Sequence, residues 1–429
     1  LEVIYLTDDL FNLKTLPLFR SLQYRNYRLY FTGQSISLIG TWMQRMAVSW
    51  LVYRLTHSSL MLGIVSFAGL IPSLLLSPYA GALTDRHSRY RILLCSQIAS
   101  MLQSGLLAAL VLLQYYSITL IILLSIAQGI INAFDTTSRQ SLMIEFIENK
   151  ADLPNAIALN SSMVNLARIL GPALAGIILS AFGEGVCFLV DFLSFVAVIV
   201  SLLMMRLSLQ PVAKTGESIW QGFRQGYRYL REHRDIKAVL VMMAVTSTFL
   251  TTFSTLTPVF ARDIFKGNAT TYSWFGSITG VGALLSAVYM ASLKPGRNLI
   301  GILLVAGSLF AAGVLCFSLS TSLPAALFFI MLSGTGMMAQ IAATNTYIQT
   351  HVEYHMRGRI ISYYVMAFQG MLPIGSLLVG YVSHKIGAPL TVTCQGITGL
   401  VATWVFGWYM KPYLKRGKKT TAETVQARA

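Results

Sequence analysis

Apolar runs of about 20 residues, each long enough to cross a bilayer as a helix, recur from end to end of this chain. Such a chain cannot fold around one water-shielded core. Helices satisfy their own backbone groups where no water is present, so the runs predict an all-α polytopic membrane protein. Only 11% of the residues are charged, against roughly 25% in soluble domains. Twelve spans can be placed, near residues 27–55, 59–80, 92–114, 118–143, 154–182, 186–205, 238–260, 273–293, 299–319, 323–350, 360–386 and 389–410.

The net charge of +16 does not point to nucleic acid, because the basic residues fall between spans rather than on one amphipathic face. With the N-terminus placed inside, 26 of the 32 Lys and Arg lie on inner segments. The outer loops then hold only Arg54, Arg262, Lys266 and Lys385. This asymmetry predicts both termini in the cytoplasm. The longest polar segment, 206–237, carries Ile219, Phe223, Tyr227 and Leu230 at helical spacing beside a stripe of Arg224, Arg228, Arg231 and Arg234. It predicts an amphipathic helix on the anionic membrane face, an ordinary solvated linker helix being the alternative.

The halves echo one another. Gly171-Pro-Ala-Leu-Ala-Gly176 in span five corresponds to Gly375-Ser-Leu-Leu-Val-Gly380 in span eleven. Loop 85–91 corresponds in place to Lys294-Pro-Gly-Arg297. The expected organisation is a cytoplasmic lead-in (1–26), a six-helix bundle (27–206), a linker (207–237), a second six-helix bundle (238–410) and a basic tail without fixed structure (411–429). The two bundles form pseudo-repeats.

Cys95, Cys187, Cys316 and Cys394 lie in four different apolar runs with no CxxC or Cys/His pattern, so neither disulfide nor metal is expected. The first apolar run is too long for a secretory signal and lacks a small-residue cleavage pattern. No GxxxxGK[ST], HExxH or GxSxG segment occurs, which argues against an ATP-driven pump or an intramembrane enzyme and leaves no cofactor to expect.

Ionisable groups inside a span are costly unless paired or hydrated, and are functional candidates by default. Span four carries Gln128, Asn132, Asp135 and Arg139 on one face. Span one carries Gln34, Ser37, Thr41 and Arg45 on one stripe, and span five carries Ser161, Asn165 and Arg168. Three polar stripes suit a water-filled cavity. The second half offers uncharged groups: Thr248, Thr251 and Thr255; Ser333, Gln340 and Thr344; Ser362 and Gln369. Asp135 is the leading proton carrier, with a permanent pair to Arg139 as the alternative. Asp191 in span six is the second carrier or a buried structural carboxyl. Arg45 and Arg168 serve either an anionic cargo or these carboxylates as counter-ions.

Gly81-Ala-Leu-Thr-Asp85-Arg86-His-Ser-Arg89-Tyr-Arg91 resembles the signature loop of the major facilitator superfamily, with Ser88 where that family usually has a second glycine. Gly81 is expected to let helices approach closely, and Asp85 to cap a helix. Further stretches are similar to the siderophore-exporter and macrolide-efflux-like branch, the group of the enterobactin exporter. These are Gly33-Gln-Ser-Ile-Ser37 with Trp42, Trp50-Leu-Val-Tyr-Arg-Leu-Thr56, Phe134-Asp135 with Arg139-Gln140, Asn155 to Asn160, Asn165-Leu-Ala-Arg168-Ile-Leu-Gly171-Pro172, Arg357-Gly-Arg359 and Pro373-Ile-Gly375-Ser376. The resemblance implies secondary active export of a small amphiphilic molecule, siderophore or drug-like, by proton antiport with alternating access. An uptake symporter or a lipid flippase on the same fold is the alternative. It further implies a monomer in a bacterial inner membrane, whose partners are cargo, protons and lipid. It pairs Asp85 with Arg139 as a latch, with Gly81, Arg86 and Arg89 shaping the gating loop.

Overall fold

The structure is a computed structural model describing residues 17–84, 86–206, 219–293 and 297–426. Every regular element among the described residues is helical. Lys14, Asp85, Lys294 and the segment 207–218 lie outside the described residues. So do the side chains of Ile219 and of the tail from 414.

The helices are α1 (Arg25–Thr56), α2 (Ser59–Thr84), α3 (Arg89–Leu112), α4 (Ile118–Leu142), α5 (Leu153–Phe182) and α6 (Glu184–Leu203). There follow α7 (Ile219–Glu232), α8 (Arg234–Ile264), α9 (Ala269–Ala291), α10 (Leu299–Leu319), α11 (Leu323–His351), α12 (Tyr354–Ile386) and α13 (Ala388–Gln426). Among the described residues, 11 helices are long and apolar enough to cross a membrane. α1 is the twelfth span: its 32 residues suffice in length, and Gln34, Ser37, Gln44 and Arg45 lower its hydropathy.

Local chemistry sets the breaks. Ser88 caps α3 by accepting from Arg91 N at 3.4 Å, and Ser117 caps α4 by accepting from Leu120 N at 3.4 Å. Pro154 stands in the first turn of α5, where its missing N–H costs nothing. Gly183 and Gly387, at φ +82° and +87°, separate α5 from α6 and α12 from α13.

The chain divides into two compact units: Leu1–Val48 with Leu75–Lys214, and Ser49–Leu74 with Thr215–Ala429. The last quarter of α1 and the first part of α2 therefore pack with the later helices. Within that second unit Gly63 and Gly380 bring two backbones together. A Cβ on Gly380 would stand 2.8 Å from Gly63 Cα and 2.8 Å from Ser59 O. At Gly81, by contrast, an added Cβ would meet only Thr137 Cγ2, at 3.9 Å. The close approach expected at the signature loop is not needed there.

Three expectations change. α8 is not one regular helix: π-helical turns at Thr246–Leu250 and Phe260–Ile264 flank a 3-10 stretch, Thr251–Leu256. Thr246, Thr248 and Thr252 return their hydroxyls to carbonyls of their own helix, loosening the backbone ladder. Gln395 of α13 takes the carbonyl of Phe249 and donates to Thr252 Oγ1 at 3.2 Å. Second, part of the apolar stripe of α7 docks on protein. Phe223 packs on Tyr363 at 4.9 Å, Tyr363 donates to Phe223 O at 3.0 Å, and Tyr229 and Leu230 are buried against α12. Arg224, Tyr227, Arg228 and Arg231 stay exposed. Third, the tail from 411 continues α13 as helix to Gln426. A long span has already nucleated that helix, and Lys, Arg, Ala and Glu extend it readily.

Candidate functional site

α4 presents its polar stripe within the first unit. Gln128 Nε2 donates to Asn132 Oδ1 at 3.3 Å. Asp135 is buried, and both its oxygens are engaged. Gln97 Nε2 of α3 donates to Oδ1 at 2.6 Å, and Arg139 Nη2 donates to Oδ2 at 2.5 Å. Of the two partners expected for Arg139, Asp135 is paired with it. Asp85, the other, lies outside the described residues. In the loop after α2, Arg86 is exposed and Arg89 pairs with Glu145 Oε1 at 3.0 Å.

Asp191 of α6 is fully buried. Ser104 Oγ lies 3.0 Å from Oδ2 and Ser194 Oγ 3.4 Å from Oδ1. Each hydroxyl also reaches a carbonyl, Ser104 that of Phe188 at 3.0 Å and Ser194 that of Asp191 itself at 2.7 Å. α1 leaves room for this cage at Gly40, where a Cβ would stand 2.6 Å from both Asp191 Oδ1 and Ser194 Oγ.

On α1, Gln34 and Ser37 are buried, and Thr41 returns its hydroxyl to Ser37 O at 3.0 Å. Arg45 is exposed. Its guanidinium lies 5.1 Å from the Trp42 ring centroid, and that of Arg168 from α5 lies 5.5 Å from the same ring. Neither arginine makes an ion pair with a described residue. Gly171 permits the arrangement, since a Cβ there would stand 2.4 Å from Trp42 Cβ. Asn165, one turn before Arg168, is half-buried. Ser161 is exposed and bonds to its own helix.

A membrane bundle with buried carboxylates and two cations on one indole matches known transporters over nearly its full length. Residues 18–425 fit the transmembrane secretion effector family of major facilitator transporters. The chain belongs to that family. The staphyloferrin A transporter of Staphylococcus aureus is 24% identical over 386 residues, covering 88% of this chain and 95% of the relative. Macrolide efflux protein A of Streptococcus pyogenes is 22% identical, covering 85% and 92%. The multidrug efflux pump Tap of Mycolicibacterium fortuitum is 23% identical, covering 80% and 86%. A solved bacterial homolog of the lysosomal transporter Spinster, in an inward-facing and unoccupied conformation, superposes with a TM-score of 0.73. At 13% identity, covering 91% of this chain and 98% of that one, it shows the fold.

The second unit of this major facilitator transporter holds the remaining candidates. Gln340 is buried and donates to Thr246 Oγ1 at 3.1 Å. Thr344 is buried, Thr251 reaches back to Thr246 O at 3.4 Å, and Gln369 is exposed. Thr255 donates to Ser376 Oγ at 3.3 Å.

Sequence reasoning missed three groups. α3 supplies a polar column: Gln97 bonds Asp135, Gln103 accepts from Gln44 Nε2 at 2.8 Å, and Ser104 bonds Asp191. Spacings of six and one hide it, but Ser96, Gln97, Ser100, Gln103 and Ser104 together follow a helical period. Asp263 lies beyond the span expected at 238–260, yet it stands in the last turn of α8 and accepts a hydrogen bond from Tyr53. Trp50 stacks on Tyr272 beside it, with centroids 5.8 Å apart.

Proposed function

We propose that this transporter exports a small amphiphilic molecule carrying negative charge, of siderophore or drug-like class, in exchange for protons. Its termini face the cytoplasm and it works as a monomer in a bacterial inner membrane. The observation that carries the reading is Asp135, a buried carboxylate at membrane depth bound by an arginine one turn away on its own helix. Such a pair is stable only while the carboxylate is charged. A proton from outside neutralises Asp135 and frees Arg139, and its departure inward restores the pair. The two end states thus differ by a discrete charge rearrangement, which an alternating-access cycle requires.

The cargo class rests on Trp42. Arg45 and Arg168 lie over one indole and close no ion pair with a described residue, the nearest acidic influence on Arg45 being Asp191. That site offers an anionic, partly aromatic molecule two forked donors and a flat apolar face. Export and siderophore or drug cargo are what the names of the staphyloferrin A, macrolide and multidrug relatives suggest for this chain.

The test is counterflow in proteoliposomes with an imposed pH gradient. Asp135→Asn should abolish gradient-driven efflux yet retain gradient-independent exchange of cargo. Wild-type efflux indifferent to the gradient would remove protons from the mechanism.

A second reading puts the proton on Asp191. Its cage contains only hydroxyls, and each hydroxyl has one hydrogen and a backbone carbonyl competing for it. A protonated Asp191 completes that network by donating to Ser104, which then donates to Phe188 O. If Asp191→Asn, rather than Asp135→Asn, uncouples efflux, this reading replaces the first.

A further inference from the structure

The first unit carries a further concavity, whose lining includes neither Trp42 nor Asp135. It is an open groove of about 520 Å³ between the end of α2, α3 and α4, within the size range of small-molecule sites. Its two ends differ in chemistry. Ile92, Cys95 and Ala99 of α3 face Ile130, Ile131 and Phe134 of α4 along its walls. At its mouth, in the turn between α2 and α3, stand His87, Ser88 and Arg91.

Arg91 is exposed and makes no ion pair with a described residue, whereas its neighbour Arg89 is committed to Glu145. Ser88 Oγ accepts from Arg91 N, so its own hydrogen remains available to a ligand. The mouth also lies at the N-terminus of α3, whose first-turn N–H groups favour an anion. A cation, a hydroxyl and a helix start therefore sit at the membrane-surface end of an apolar channel running to membrane depth.

We propose that this groove binds an anionic phospholipid, with its phosphate on Arg91 and Ser88 and an acyl chain along Cys95, Ala99 and Phe134. The medium around the groove is lipid, so its apolar length is filled by a chain whatever the headgroup. Arg91, which has no ion pair among the described residues, selects among headgroups at the mouth, favouring net negative charge. Its lining shares no residue with the proposed cargo and proton groups, and the proposal stands whether or not that reading holds.

The chain contains its own reporters. Cys95 lines the groove and is exposed, Cys394 is exposed on α13, and Cys187 is buried. Protein purified in detergent is treated with N-ethylmaleimide, and the rate at each cysteine is followed by mass spectrometry. Added dioleoyl phosphatidylglycerol should slow alkylation of Cys95 and leave Cys394 unchanged, while dioleoyl phosphatidylcholine at equal concentration protects much less. Arg91→Gln should weaken the protection by phosphatidylglycerol about fivefold in apparent affinity. Ala99→Phe, which closes the apolar channel, should abolish it. Cys187 staying unreactive certifies that each variant is folded. Equal protection by the two lipids, protection of Cys394 alongside Cys95, or no protection in the wild type overturns the proposal.

Discussion

Arg139 closes a 2.5 Å ion pair on Asp135 across one turn of α4, so the two charges of that helix form a single neutral group. Gln97 holds the other carboxylate oxygen from α3. Gln97→Leu leaves Oδ1 buried without a donor, which costs about 1–3 kcal/mol. Thermal unfolding in detergent should show that loss. Asp135→Leu is itself costly because it leaves Arg139 unpaired, so the coupling is read as a difference: Gln97→Leu added to Asp135→Leu should cost much less than Gln97→Leu alone, since no carboxylate then waits for its donor. Strict additivity of the two single changes would mean that Gln97 does not support Asp135.

The indole of Trp42 serves two guanidiniums at once. Trp42→Phe keeps an aromatic face and should raise the KM for an anionic cargo only slightly. Trp42→Ala removes two cation–π contacts of roughly 0.5–1 kcal/mol each and releases both arginines. Its KM should rise about tenfold at nearly unchanged kcat, the pattern of lost uniform binding. Transport kinetics in which kcat falls and KM stays constant would assign Trp42 to the conformational step instead.

Much of this was legible from residue pattern. The span boundaries of α2, α4 and α5 follow hydropathy and punctuation such as Ser117, Pro154 and Gly183, all local signals. The pair Asp135–Arg139 was likewise readable, since it lies within one helix. What escaped were partnerships across helices. Nothing in the sequence says that Gln97 meets Asp135 rather than lipid, that Trp42 gathers arginines from α1 and α5, or that Asp263 meets Tyr53. The amphipathic stripe of α7 was real, but periodicity identifies an apolar face without saying what covers it. In this chain α12 covers Phe223 and Leu230 and leaves Tyr227 exposed. The broken course of α8 depends on threonines returning hydroxyls to their own carbonyls, and the same residues in a straight helix read identically.

Glycine spacing gives a paired prediction. Gly380 and Gly63 face each other inside the second unit, and a Cβ on Gly380 meets backbone at 2.8 Å. Gly380→Ala must push α2 and α12 apart, an overpacking cost of about 1–3 kcal/mol. Gly81→Ala meets only a side-chain methyl at 3.9 Å and removes the helix penalty of glycine, a gain of roughly 0.5–1 kcal/mol. Melting temperatures should therefore move in opposite directions. A loss at position 81 equal to that at 380 would restore the close approach first read from the signature loop.

The segment before α1 is fastened at a single acidic residue. Asp152, buried at the start of α5, accepts from Tyr24 Oη at 2.6 Å and from Arg20 Nη1 and Gln23 Nε2 at 3.4 Å each. The bond to this carboxylate pushes the Tyr24 phenol above its ordinary value. Ser21 adds two backbone-level ties, donating from Oγ to Asp152 O at 3.1 Å and from its N–H to Asn155 Oδ1 at 3.0 Å. Asp152→Ala removes three acceptor contacts but leaves those of Ser21, so the segment loosens rather than detaches. Arg20 and Arg25 are exposed trypsin sites beside the clamp. Cleavage there depends on local opening, whose equilibrium shifts by the lost interaction energy. Losing the three contacts predicts faster cleavage in Asp152→Ala than in the wild type, by a modest factor because the Arg20 end of the clamp is exposed and screened by solvent. Asp152→Asn keeps an acceptor for Tyr24 and should fall between the two. Equal cleavage in all three proteins would show that the lead-in is held by Ser21 and packing alone.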